Sequence, residues 1–182
     1  GFAGYPAFKS EAGPWVGKKV ADAFMRRLPH PDRSDYEKFL ESFRLREPSG
    51  MSLLQLLSIT EARSPNDGFS IIDPLSETFG DCDCVIGVAG CRHHAPKLSR
   101  ELIGSEVDFR PEPNNKHDEN AIEILISGTK IGYVNRLQSK TILRWLSARN
   151  VVAHLVRING QPDRPRPYVM LRVRSRENSE AA

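Results

Sequence analysis

"AIEILISGTKIGYVNR", residues 121–136, is the stretch that decides the fold. Ile122, Ile124 and Ile126 fall at every second position, which puts them on one face of a β-strand, because successive strand side chains point to opposite sides. Gly128 supplies a turn, and "KIGYV" (130–134) returns as the antiparallel partner. Asn135 then stands where a helix N-cap belongs, with Gln138 at capping-box spacing, so a helix is expected to run to about Arg149.

The same alternation extends outward from this hairpin. Upstream, "DCVIGVAG" (83–90) has the composition of a buried strand, and "SEVDFR" (105–110) alternates polar with apolar. Downstream, "VVAHLVRI" (151–158) reads as a strand ended by the turn pair Asn159-Gly160. In "YVMLRVR" (168–174), Val169, Leu171 and Val173 should face a core, with Tyr168, Met170, Arg172 and Arg174 on the other side. Several short strands with one late helix imply a small antiparallel β-barrel or a strongly coiled sheet.

The first third of the chain is helical in pattern. Lys18 to Leu28 carries an apolar stripe that ends at Pro29. Ser34 and Glu37 have capping-box spacing ahead of Tyr36, Phe39, Leu40 and Phe43, and Ser52 with Gln55 repeats that spacing ahead of a third helix. Pro48-Ser49-Gly50 marks a break, and "SPNDGFSIID" (64–73) reads as a turn feeding a short strand. The expected class is α+β. Residues 1–75 form a helical or mixed module, 76–176 form the barrel domain, and 177–182 are a frayed polar tail.

Bulk properties set limits on function. The chain has 182 residues, a formal net charge of +3 and a pI near 8.9, which permits a polyanionic partner without demanding one. No apolar run approaches the ~18–20 residues of a membrane span, and no signal-peptide pattern opens the chain. Cys82, Cys84 and Cys91 are an odd and sparse set, which points to a reducing cytoplasm.

The chemistry concentrates just before the opening hairpin, in "RPEPNNKHDENAIEI" (110–124). Asn and Asp side chains bond nearby backbone groups and stiffen irregular chain, so Asn114, Asn115, Asp118 and Asn120 are expected to build a loop. A stiff loop with outward donors and acceptors can also bind. Arg92, His93 and His94, together with His117, offer planar and cationic groups to a nucleic-acid end. "RPRPYVMLRVRSR" places Arg164, Arg166, Arg172, Arg174 and Arg176 around Tyr168, a composition suited to single-stranded nucleic acid or to a solvated outer face. The cysteines and histidines include zinc ligand types, but "CDC" and "CRHH" lack a common zinc spacing. Asp108, Glu112, Asp118, Glu119 and Glu123 contain the carboxylates a metal nuclease would need, without a lysine at short spacing after Glu123.

The order "VAGCRHH", "EVDFRPEPNNKHDENAIEIL", "GTKIGYVNR" and a helix resembles the HIRAN domain, over residues 83–175. This module is known from helicase-like transcription factor and related DNA-repair ATPases. The resemblance implies a small OB-like barrel with an inserted helix that binds single-stranded DNA at a 3′-hydroxyl end, without catalysis and without a cofactor. Carried over by position, Asp118 would accept a hydrogen bond from the terminal 3′-hydroxyl. Arg92, His93, Asn115 and His117 would line the pocket around the last nucleotides; Lys116 is a local addition expected on phosphate, and His94 is counted with the DNA-binding residues. Tyr133 and Tyr168 would stack or contact phosphate, and Arg172 and Arg174 would extend the basic surface. Asn114 and Asn120 are left to hold the loop. Where the repair proteins carry tyrosines, this chain has His93, His94 and His117, which stack over less area.

Residues 1–75 resemble the N-terminal region of bacterial HIRAN proteins and, more faintly, the N-terminal subdomain of HipA-type kinases, which implies a site for a protein partner. The resulting expectation is a non-catalytic DNA-binding protein of repair, processing or defence. The alternatives are an accessory interaction module of a toxin or defence system and a metal-dependent nuclease.

Overall fold

The structure, a computed structural model, describes residues 18–43, 45, 51–61, 70–76, 78 and 80–176. The tail 177–182, the break at 48–50 and most of the 64–73 turn lie outside the described residues. The chain divides into two compact units, 1–73 and 74–182.

In the first unit, α1 (Lys18–Met25), α2 (Tyr36–Ser42) and α3 (Leu53–Thr60) follow the apolar periodicities. The capping box of α3 forms as its spacing predicts: Gln55 N–H donates to Ser52 Oγ at 3.2 Å, and Ser52 N–H donates to Gln55 Oε1 at 2.8 Å. The one expected at Ser34 does not. Asp35 is the N-cap of α2 and makes no side-chain cap bond. Its carboxylate is taken by Arg33 at 2.9 and 2.7 Å, while a turn bond from Tyr36 N–H to Arg33 carbonyl delays helix entry past Ser34.

Among its described residues the second unit holds six strands and one α-helix: β1 (Cys82–Gly87), β2 (Asp108–Pro111), β3 (Ile122–Ile126), β4 (Thr129–Tyr133), α4 (Arg136–Ala148), β5 (Asn150–Gln161) and β6 (Arg164–Arg174). They form two three-stranded antiparallel sheets, ordered β1-β6-β5 and β2-β3-β4. The α+β class holds, but the two sheets do not close into a full barrel: they touch at two isolated bridges and not along full ladders. At one seam, Ala89 and Tyr133 exchange backbone bonds of 2.8 and 2.9 Å. Gly90 then takes φ +67° and the chain leaves the sheet as a 3-10 turn over Cys91–Lys97. At the other, Glu106 bridges to His154, and Gly104, Val107 and Leu155 donate bonds of 2.7 to 2.9 Å. Just beyond this bridge the β5–β6 register shifts between Leu155 and Arg157, a bulge in the strand.

The core lies between the sheets and under α4. Ile86, Ile122, Ile124, Ile131, Leu155, Val169, Leu171 and Val173 meet Ile142 and Trp145 there. At β3 the burial exceeds the alternation: Glu123 and Leu125 are buried as well as the isoleucines, since β2 and β4 flank the strand on both edges. Asn135 caps α4 by accepting Leu137 N–H at 3.0 Å. The last hairpin is longer than its sequence predicts. β5 runs through Asn159-Gly160 and the turn is Pro162-Asp163. Gly160 has φ +84°, and a Cβ there would lie 2.4 Å from the Arg164 carbonyl oxygen, so this glycine serves a tight strand pairing and not the turn.

Candidate nucleic-acid interface

Loop 112–120 is closed at its base, where Glu112 N–H donates to the Ala121 carbonyl at 2.8 Å. Its interior is organised by Asn115. The Asn115 amide donates to Glu112 Oε2 at 2.7 Å, and its Oδ1 accepts the backbone N–H of His117 (2.9 Å) and Asp118 (3.3 Å). Asp118 Oδ1 in turn accepts Asn120 N–H at 3.0 Å. Lys116 and His117 are exposed on the outside of this frame. The Asn115 amide is thus spent within the loop, and Asn114 is exposed. Asn115→Ala is expected to lower stability by about 1–2 kcal/mol, because three backbone or carboxylate partners lose their bond at once. Chemical denaturation measures it, and a loss under about 0.5 kcal/mol would refute the hub role.

Tyr133 connects this loop to the neighbouring turn. Its hydroxyl donates to Glu112 Oε2 at 2.9 Å. On its other side, Ala89 pairs with its backbone, and a Cβ on Gly90 would sit 3.8 Å from its ring. Gly90 opens the turn that presents Arg92 and His93, both exposed, with Arg92 Nε 3.2 Å from His93 Nε2. His94 is half-buried in the same turn. Cys91 anchors the turn from beneath by donating to the Pro165 carbonyl at 2.9 Å. Tyr133 therefore touches both segments: its hydroxyl bonds Glu112 at the base of the loop, and its backbone pairs with Ala89 just before the turn that carries Arg92 and His93.

Sequence reasoning missed the polar network behind that tyrosine. Lys130 donates to the Tyr133 hydroxyl and lies 3.9 Å from its ring centroid. Lys130 also pairs with Glu123 Oε1 at 2.9 Å, and Arg110 grips Glu123 Oε2 at 2.6 Å. Hydrogen bonds from Asn115 and then Tyr133 hold the Glu112 carboxyl below the usual carboxylate range. The Glu123 carboxyl is lowered too, first by the bond from Lys130, against the opposing effect of burial. Lys130 is raised: burial is the largest single influence and lowers it, but the bonds to Glu123 and Tyr133 together outweigh that. Two of the five carboxylates considered for metal chemistry are therefore satisfied by cations, an amide and a hydroxyl. No group of three or more potential ligands that could hold a metal ion occurs among the described residues. The available signal was Glu123 itself, a charge set between isoleucines in a buried strand, which requires partners.

The remaining candidates lie elsewhere. Tyr168, expected on the outer face, is buried at 4% exposure, with the Arg157 guanidinium 4.1 Å from its ring centroid. Arg172 pairs in register with Asp83, six residues before Ala89, which places it about 20 Å along the sheet from the Tyr133 seam. Arg174 is held by Asp83 at 2.7 Å and by the Cys82 carbonyl at 3.0 Å.

A family model for the HIRAN domain matches residues 82–177, which span all six strands and α4. The chain belongs to the HIRAN domain family. Among solved structures, the HIRAN domain of human HLTF is similar at 17% identity and a TM-score of 0.41, covering 54% of this chain and 81% of that one. A protein from Lactobacillus plantarum is similar at 20% identity and a TM-score of 0.37, covering 52% and 99%. No curated protein matches the chain. No helix among the described residues is long and apolar enough to cross a membrane.

Proposed function

We propose that this HIRAN domain binds single-stranded DNA and recognises a free 3′-hydroxyl end, without catalysing a reaction on it. The observation that carries this reading is Asp118. One of its carboxylate oxygens caps Asn120, while the other makes no protein hydrogen bond among the described residues. An ionised carboxylate oxygen accepts a hydroxyl proton well and repels a phosphate. Its loop is pre-formed by Asn115, so little ordering is needed on binding. Exposed Lys116, His117, Arg92 and His93 supply the cationic and planar groups that a terminal nucleotide takes, and Tyr133 holds their two segments together. Residues 1–73, a separate compact unit, suit attachment to a protein partner.

The test compares Asp118→Ala with wild type on strands ending in 3′-hydroxyl or 3′-phosphate, by fluorescence anisotropy. Wild type should prefer the hydroxyl, and the variant should lose about tenfold on it while losing little on the phosphate; one charge-assisted hydrogen bond is of that order. Equal binding of both strands by wild type would sink end recognition.

A further inference from the structure

Apart from the loop surface, the outer face of the β1-β6-β5 sheet gathers a second set of cations. On β6 the inward residues Pro165, Pro167, Val169, Leu171 and Val173 are all buried. The alternate positions Arg164, Arg166, Tyr168, Met170, Arg172 and Arg174 share the opposite face. Register adds Arg157 beside Tyr168 and His154 beside Met170 from β5. Five arginines therefore line one face over a strand about 36 Å long, with neighbours on that face about 6.6 Å apart. Asp83 is the acid that the outward positions of β1, β5 and β6 contribute, and it is engaged by Arg174 at 2.7 Å and approached by Arg172 at 3.8 Å. Arg164 lies 3.7 Å from Asp163 in the adjoining turn, but its side chain is 86% exposed and that of Arg172 64% exposed, so both heads reach solvent.

The middle of the stripe differs from its ends. Val85 pairs in register with Met170, and Val152, which pairs with Arg172, lies diagonally beside Met170 on the same face; the two valines are 38% and 39% exposed, as much as any large apolar group within this sheet. Tyr168 is covered and offers no ring face for stacking.

We propose that this face is a second DNA contact, a track for the phosphate backbone of a single strand. It lies apart from the surface that would take the strand's end and needs no terminus. Phosphates follow the arginines, and unpaired bases rest on the Val85–Met170–Val152 patch. A duplex keeps its base faces stacked inside and has nothing for that patch to cover, which is why the occupant is single-stranded. The contact is sequence-independent, since guanidinium heads spaced along a flat sheet meet phosphate and not base edges.

The experiment uses the 182-residue chain and a circular single strand, which has no end. Arg164→Ala/Arg166→Ala/Arg172→Ala should weaken binding of the circle about tenfold or more at moderate salt. The slope of log affinity against log salt should fall by about 2, which is three contacts at roughly 0.7 each. The corresponding triple lysine variant should keep the slope. Should the alanine variant lose its fold, Arg172→Gln carries the test, with a slope smaller by about 0.7. A folded triple variant with wild-type affinity and slope for the circle overturns the proposal, as does tighter wild-type binding of a duplex of equal length. If the circle result holds while 3′-hydroxyl and 3′-phosphate strands bind alike, end recognition has failed and the track stands.

Discussion

Gly132→Ala is expected to cost about 3 kcal/mol and to lower the melting temperature of the second unit by about 15 °C. The cause is a crossing of chains. A Cβ at this position would lie 2.4 Å from Val88 Cγ1 and 2.5 Å from the Ala89 carbonyl oxygen. That oxygen accepts the Tyr133 N–H, so it is half of the backbone pair that joins β1 to β4. A side-chain methyl can rotate aside, but a carbonyl fixed in a bridge can move only by opening the seam. Opening it would also release Gly90 and the Arg92–His93 turn from Tyr133, so DNA affinity should fall together with stability. Gly128 is the internal control. It has φ +75°, but a methyl group added there would meet no atom within 4 Å, so its alanine variant carries backbone strain alone, about 1 kcal/mol. Thermal melts of both variants decide the matter. A Gly132→Ala protein that melts within about 3 °C of wild type would mean the strands do not cross this closely.

What could be read from the sequence was what is local. The capping of α3 depends on Ser52 and Gln55, three residues apart, and the β3–β4 hairpin depends on alternation around one glycine. Both were visible because their partners are neighbours in the chain. Failures came where a distant partner decides. Asn159-Gly160 carries a strong turn signal, yet the close approach of Arg164 uses that glycine inside the ladder and moves the turn to Pro162-Asp163. Tyr168 keeps its alternate position on the strand, but its ring is buried with the Arg157 guanidinium over it, and Arg157 reaches it across a bulge that no pattern reveals. Barrel closure failed for the same reason, since strand count says nothing about how long each seam is. In the loop, composition identified side chains that bond backbone without saying which turn inward. Asn115, three residues from Glu112, holds the frame, while Asn114 beside it is exposed.

Glu123→Gln should destabilise the protein by about 2 kcal/mol near neutral pH, and that difference should shrink in acid. Glu123 is 8% exposed and receives Arg110 and Lys130 on its two oxygens. The amide keeps the volume but can accept on one oxygen only, and it turns an N–H₂ toward a cation. The loss stays below the roughly 3–5 kcal/mol of a fully buried pair because Arg110, 63% exposed at its side chain, can swing into water and Lys130 keeps the Tyr133 hydroxyl. The sign of the pH dependence follows from the direction of the shift. The folded carboxyl lies below its unfolded value of about 4.3, so its contribution is complete above that pH and is lost as pH falls through the folded value. Glu112 is lowered in the same direction and adds to acid sensitivity in both proteins. Lys130 is raised, so its share is present below about pH 10.4 and disappears only above it. Between about pH 6 and pH 9 the gap between wild type and Glu123→Gln should therefore be flat, and it should close below about pH 4. A gap that persists unchanged into strong acid would assign the effect to packing and not to the charge.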